Sequence, residues 1–244
     1  MQDRFLPQAI KSINAAIDKQ VDAVSKAVIA GGDWAASVDQ NADAIIAAYS
    51  EIYKQVMPYF AGQFYDAVEP QTKGHGGEEV AAWEMLVDDW LKVQGAQKVV
   101  GVDNYTKTVI AQTIAGANKI DPDTGAVLGR LSAAETAKLI QDKFSDMKAY
   151  RAERIARTEI NSAANWGHYE GANTISKTTG LVLQKVWMAV GDQRTRDTHD
   201  AIDGERVMND QTFTNGLRFP GDPSGPADEI VMCRCTFAHE VIGQ

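Results

Sequence analysis

Cysteine is nearly absent from this chain. Cys233 and Cys235 are the two among 244 residues, separated by one position. Neighbours that close hardly bridge each other in a strand. No disulfide framework therefore holds the fold, and nothing points to an oxidising compartment. Positive charge is also in short supply, with 24 Lys and Arg against 33 Asp and Glu and a formal net charge of −9. A protein that coats nucleic acid carries the opposite excess. No apolar run approaches the roughly 20 residues that cross a bilayer. The opening MQDRFLPQAIKSINAAIDKQ mixes charges into every turn and has no apolar segment leading to a small-residue cleavage site. No secretory signal is expected, which leaves the cytoplasm or a particle assembled there. A Walker glycine loop, a dinucleotide fingerprint, a His-Glu-x-x-His helix and a Gly-x-Ser-x-Gly elbow are all missing. Most ordinary enzyme classes lose their support with them.

What is present reads as α+β. Apolar residues from Phe5 to Val28 recur at spacings of three and four, which predicts a helix that Gly31-Gly32 stops. Asp33 is a candidate N-cap for a second amphipathic run over 34–68, where Pro58 should kink or divide the helix. The two form an expected antiparallel hairpin. Gln71–Gly77, with three glycines and no apolar anchor, reads as the most flexible stretch. Further helices are expected over 80–99 and 104–115, then a capping box from Ser132 to Glu135 opening another. A long helix over about 148–175 follows, then a strand in LVLQKVWMAV, with Leu183, Lys185 and Trp187 on one side. The expected organisation is a predominantly helical region over 1–130 and a small C-terminal α+β domain over 131–244.

Several motifs carry candidate chemistry. Asp121-Pro-Asp-Thr-Gly125 has the start of a calcium loop but neither the later ligands nor the closing Glu, so a turn is the better reading. Lys148, Arg151 and Arg154, continued by Arg157, make a basic stripe that could touch phosphate or a partner; a solvated face is the commoner meaning. Thr158, Asn161 and Asn165 fall in a row on one helix face, which suggests either an active site or a polar network packing the helix on a strand or loop. Asp192, Arg194, Thr195 and His199 follow the strand directly, where chemistry or a helix cap is equally at home. His199, Cys233 and Cys235 offer three soft ligands, but Cys-x-Cys is not the usual zinc spacing and a fourth ligand is missing unless Asp192 or His239 serves. Packed thiols are expected instead, with no metal. A cysteine nucleophile is weaker still, because nothing favours the thiolate of Cys233.

The segments ARTEINSAAN, KVWMAVGDQRTRDTHDAIDGERV and LRFPGDPSGPADEIVMCRCTF together resemble, in order and spacing, the phage Mu F-like family of head morphogenesis proteins. The resemblance covers roughly the last hundred residues. It implies a structural motif network of Arg157, Thr158, Glu159, Asn161, Asn165, Trp187, Asp192, Arg194, Thr195, His199, Asp203, Gly204, Cys233, Arg234 and Cys235, with no catalytic residue and no cofactor. Some members carry Cys in the Asp-Arg-Thr segment and His just before Cys-Arg-Cys. Here residues such as Arg196, His199, Val231 and Met232 stand there instead. The resemblance further implies a low-copy minor head protein in the virion, near the portal vertex, assembled in the host cytoplasm and acting in head assembly and DNA packaging or delivery. Its partners would be the portal protein, coat or scaffold protein and the genome end, with no membrane. Aromatic positions Tyr49, Tyr53, Phe60 and Phe64 suggest an apolar face through which the N-terminal region (1–130) docks on itself or on a portal ring. The competing classes are an enzyme, hydrolase or transferase-like, built on the C-terminal domain, and a DNA-end-binding module resting on the basic stripe.

Overall fold

The computed structural model describes residues 2–68 and 76–243. Apart from Gly76 and Gly77, the glycine-rich stretch from Gln71 lies outside them. After a single 3-10 turn at Gln2–Arg4 the elements are α1 (Leu6–Ala30), α2 (Trp34–Asp39), α3 (Ala42–Val68), α4 (Gly77–Trp90), a π-helical turn (Leu91–Gly95), α5 (Ala96–Ala115), β1 (Asn118–Ile120), β2 (Val127–Arg130), α6 (Ala133–Thr179), β3 (Val182–Met188), α7 (Asp197–Asp200), β4 (Arg206–Met208), α8 (Ala227–Ile230) and β5 (Thr236–Gly243). The class is α+β, as expected.

Local chemistry explains most of the boundaries. Gly31 takes φ +67°, and the N–H of Gly32 reaches back to the carbonyl of Ala27 at 2.8 Å, closing α1 in a left-handed C-cap turn. The Asp33 carboxylate accepts from the N–H groups of Ala35 and Ala36 and opens α2. The run expected as one helix over 34–68 breaks at Gln40–Asn41, where the Asn41 amide donates to the carbonyl of Ser37 at 2.9 Å. Pro58 does not divide α3, whose buried flank includes Val56, Met57 and Ala61. The expected gap between 99 and 104 is also absent; the irregularity is the π turn at Leu91–Gly95. Ser132 and Glu135 cap α6 reciprocally, at 2.7 and 3.2 Å. That helix then runs 47 residues without a break where two had been expected, because 145–147 holds neither Gly nor Pro.

The chain forms two compact units, one of residues 1–9, 50–94 and 154–244, the other of 10–49 and 95–153. These do not coincide with the 1–130 and 131–244 segments. In the second unit β1 and β2 pair antiparallel. One Asp121 carboxylate oxygen accepts the N–H groups of Asp123 and Thr124 at 2.9 Å, and Gly125 supplies the positive φ; Asp121–Gly125 is a turn.

In the first unit, α6 lies directly on the backbone of α3. A Cβ at Gly167 would stand 2.2 Å from the Met57 carbonyl oxygen, and one at Gly171 2.6 Å from that of Ala61. Glycine is required at both positions. Tyr53 stacks on Trp90 at 4.5 Å and meets Trp166 edge-on at 6.1 Å, while Phe64 packs on His168 and His239. Tyr49, in the other unit, is also buried. The aromatic positions expected to form an open docking face are therefore largely consumed inside the units. A three-stranded antiparallel sheet in the order β4-β3-β5 completes this unit, with Lys185 opposite His239 and Trp187 opposite Phe237. Leu183, Lys185 and Trp187 are buried together, as the alternation predicts.

Candidate functional site

One face of α6 carries the row of short polar residues. The Thr158 hydroxyl donates to the Arg154 carbonyl at 2.8 Å and accepts the N–H of Met232 at 3.0 Å. The Glu159 carboxylate, buried in the same turn, accepts the Tyr53 hydroxyl at 2.8 Å. Asn161 accepts from the Gln2 amide at 3.2 Å. Asn165 is used fully: its amide nitrogen donates to the carbonyls of Pro220 and Cys235 at 2.8 and 3.1 Å, and its oxygen accepts the Thr236 hydroxyl at 3.1 Å. The row is tied by these bonds to the segment around β5 and to a loop. Thr158 and Asn165 fasten α6 to the segment entering β5, and Asn165 also holds the loop at Pro220. Gly221, at φ +74°, lies over the Asn161 and Ser162 side chains, where a Cβ would come within 3.2–3.3 Å of their polar atoms.

The turn after β3 is organised by Asp192. Its carboxylate takes a two-pronged pair from Arg234 at 2.6 and 2.7 Å and accepts the N–H of Arg194 at 3.0 Å, while the N–H of Asp192 donates to the Thr195 hydroxyl. The Arg234 guanidinium holds the Asp192 carboxyl well below the usual carboxylate range. The pair sits at the surface, with side chains 40% and 32% exposed. It closes a turn and is not the helix cap; the N-cap of α7 is Arg196, which makes no side-chain capping bond. Asp203 accepts the N–H of Ala189 at 2.7 Å, and Gly204, at φ +76°, donates to the Trp187 carbonyl, so these two hold the loop before β4 against β3.

His199 does not join that network. It is buried, its Nε2 lies 2.7 Å from Glu229 Oε2, and its Nδ1 lies 3.5 Å from Cys235 Sγ and 3.7 Å from Cys233 Sγ. Both thiols face the same ring, as residues two positions apart do on extended backbone. Residues 233–235 precede β5, and Met232 takes φ +59° just before them. The two thiols share one environment and shift oppositely. Cys235 is lowered, chiefly by the bond from the Cys233 thiol, while that same bond and burial push Cys233 up. Cys235, His199 and Glu229 have the order of a nucleophile, base and orienting acid. Cys235 and His199 are only 3% and 1% exposed. A cavity of about 100 Å³ lies beside Cys233, lined also by Asn161, Arg157, Met232 and Arg234.

The basic stripe dissolves. Arg151 is buried and donates to the Val102 carbonyl at 3.1 Å and the Thr106 hydroxyl at 2.6 Å, over the Tyr105 ring. Lys148 pairs with Asp18, and Arg157 with Asp3 at 3.4 Å. Arg154 alone of the proposed contacts is exposed without a described partner.

Sequence reasoning missed three groups. Glu229 orients His199. Asp222 is buried and gathers Arg218 through two side-chain bonds at 2.8 Å, together with the N–H and hydroxyl of Ser224; these contacts lower its carboxyl against the opposing effect of burial. Lys185, fully buried, donates to the carbonyls of Asn209 and Gln211, and burial pushes it down to about 8. The Pro-Gly-Asp-Pro motif and the inward register of Lys185 were the available signals.

A curated relative, the NAD(+)–arginine ADP-ribosyltransferase EFV of Enterococcus faecalis, is 35% identical over 122 residues, which is 49% of this chain but 24% of the relative. The chain thus spans about a quarter of that protein's length. No solved structure matches. Residues 125–238 match the family described as Phage Mu protein F like protein. That span takes in all of α6, the turn after β3 and the histidine–cysteine cluster, so over its C-terminal region the chain is a match to the Phage Mu protein F like family.

Proposed function

We propose that this chain is a low-copy minor head protein of a tailed bacteriophage, bound at the portal vertex and needed for head assembly and for DNA packaging or delivery. The observation that carries the reading is the family match over 125–238, the same residues whose polar side chains are spent on fastening loops and strands to α6. Chemistry needs a reactive group with access to a substrate, and the Asp192–Arg234 and Asn165 contacts leave those groups committed to the fold. The net charge of −9 suits docking on a protein ring better than coating DNA. The portal protein is the first expected partner, with coat or scaffold next.

Deleting the gene from the phage that encodes the chain should yield defective or non-infectious heads, and mass spectrometry of wild-type heads should find the chain at low, constant copy number. Its absence from purified heads would overturn the proposal. An enzyme reading draws on the name of the Enterococcus faecalis relative. The shared segment is about a quarter of that protein, and a common docking segment joined to different partners accounts for the likeness. Incubating the chain with NAD+ and an arginine-bearing acceptor should then give no transfer.

A further inference from the structure

We infer that His199, Cys233 and Cys235 form a zinc site, with the imidazole Nδ1 and the two sulfurs as three of four tetrahedral ligands. The site is independent of the role proposed above. Tetrahedral zinc with Zn–S near 2.3 Å and Zn–N near 2.05 Å places each sulfur about 3.6 Å from the nitrogen. The observed separations are 3.5 and 3.7 Å, and all three donor atoms lie within 4.8 Å of one another. The nitrogen already stands from both sulfurs at the spacing the ion requires.

Glu229 makes the imidazole a ligand. An ionised carboxylate only accepts, so the 2.7 Å contact puts the ring proton on Nε2 and leaves the Nδ1 lone pair facing the sulfurs. Carboxylate–histidine–metal chains use this arrangement to fix the tautomer and orient the ring. Thr198 in turn donates its hydroxyl to the Glu229 carboxylate at 3.1 and 3.2 Å. The loop is held as firmly: Arg196 donates to the Val231 carbonyl, and Met232 carries an unfavourable positive φ.

Charge and burial agree. The three side chains are 1%, 4% and 3% exposed in an apolar cluster with Trp187, Ile202 and Phe213. One Nδ1 lone pair accepts a single S–H, whereas a cation engages both sulfurs and the nitrogen together. Binding Zn2+ releases the two thiol protons to solvent, and the ion with two thiolates and a neutral imidazole carries no net charge into the core. Two thiolates with imidazole suit zinc over magnesium or calcium. Among the described residues no fourth His, Cys, Asp or Glu joins the cluster. The fourth position falls to a solvent molecule, for which the cavity beside Cys233 leaves room.

The test uses the full chain. Elemental analysis should give about one zinc per chain, and cobalt in its place should show thiolate charge-transfer and tetrahedral bands. Cys233→Ser and Cys235→Ser should lose those bands. Should either fail to fold, Glu229→Gln decides, since it keeps all three ligands and should weaken zinc about 10–100-fold in chelator competition. No stoichiometric metal in folded protein, no cobalt charge-transfer band, or Glu229→Gln binding zinc as tightly as the parent would each overturn the inference. So would rapid alkylation of a single thiol in zinc-loaded protein, which is the behaviour of a nucleophile.

Discussion

Asn165→Ala removes the most heavily used side chain of the polar network. Asn165 is 2% exposed and makes three hydrogen bonds, to the Pro220 and Cys235 carbonyls and from the Thr236 hydroxyl. Each is a neutral bond of ordinary length, for which the net contribution is about 1 kcal/mol. Truncation forfeits about 3 kcal/mol and leaves buried acceptors unpaired, while alanine returns about 0.5 kcal/mol of helix propensity. The expected loss is therefore about 2–3 kcal/mol, and more if no water enters the gap. For a chain of this size that corresponds to about 4–12 °C in melting temperature. Urea unfolding followed by tryptophan fluorescence measures it directly, since Trp166 and Trp187 sit in the unit affected. Asn165→Asp separates the causes, because it keeps the volume but turns an oxygen toward two carbonyls, so it should be at least as damaging as alanine. A loss below about 0.5 kcal/mol for both would refute the claim that this row of residues binds α6 to the strand and loop.

Gly167→Ala should destabilise by about 2 kcal/mol or more because its Cβ meets the Met57 carbonyl oxygen, although helix propensity alone favours alanine by about 1 kcal/mol. Gly101→Ala, in α5 with nothing within 4 Å, is the control and should be neutral or stabilising under the same urea titration. Acid should weaken the first unit early. Burial lowers His168 to about 4 and His239 to about 3, so below the unfolded value of about 6.5 the unfolded chain binds more protons than the folded one. Stability is complete above that pH and falls between it and about 3; a urea midpoint flat from pH 7.5 to 5 would contradict this. Arg234→Ala should loosen the turn after β3 by less than loss of a buried pair would, because the Asp192–Arg234 pair is solvent-exposed; limited proteolysis at that turn is the readout.

Features set by neighbours in sequence were legible. The Gly31 stop, the Asp33 cap, the Ser132–Glu135 box and the alternation of β3 all depend on a few adjacent residues. Features set by approach of distant backbone were not. Gly167 and Gly171 look like unremarkable helix glycines until α3 lies on them, and Arg151 looks like a surface charge until Val102 and Thr106 cover it. The meeting of His199 with both cysteines was hidden for the same kind of reason. Residues two positions apart share a face of extended backbone, but only the fold brings His199 against both sulfurs. The Thr158–Asn165 row was visible as a pattern, and only its partners in 220–236 decide that it packs. The separation of His199 from Asp192 was invisible, since both stand in one short motif yet face different neighbours.

The central claim is that the motif residues build a head component and perform no reaction. Copy number per head of phage carrying Asp192→Asn, measured by quantitative mass spectrometry alongside infectivity, tests it most directly. The account predicts that the two fall together, in proportion to the loss of folded protein. Particles with a full complement of well-folded Asp192→Asn chain that nevertheless fail to infect would contradict it.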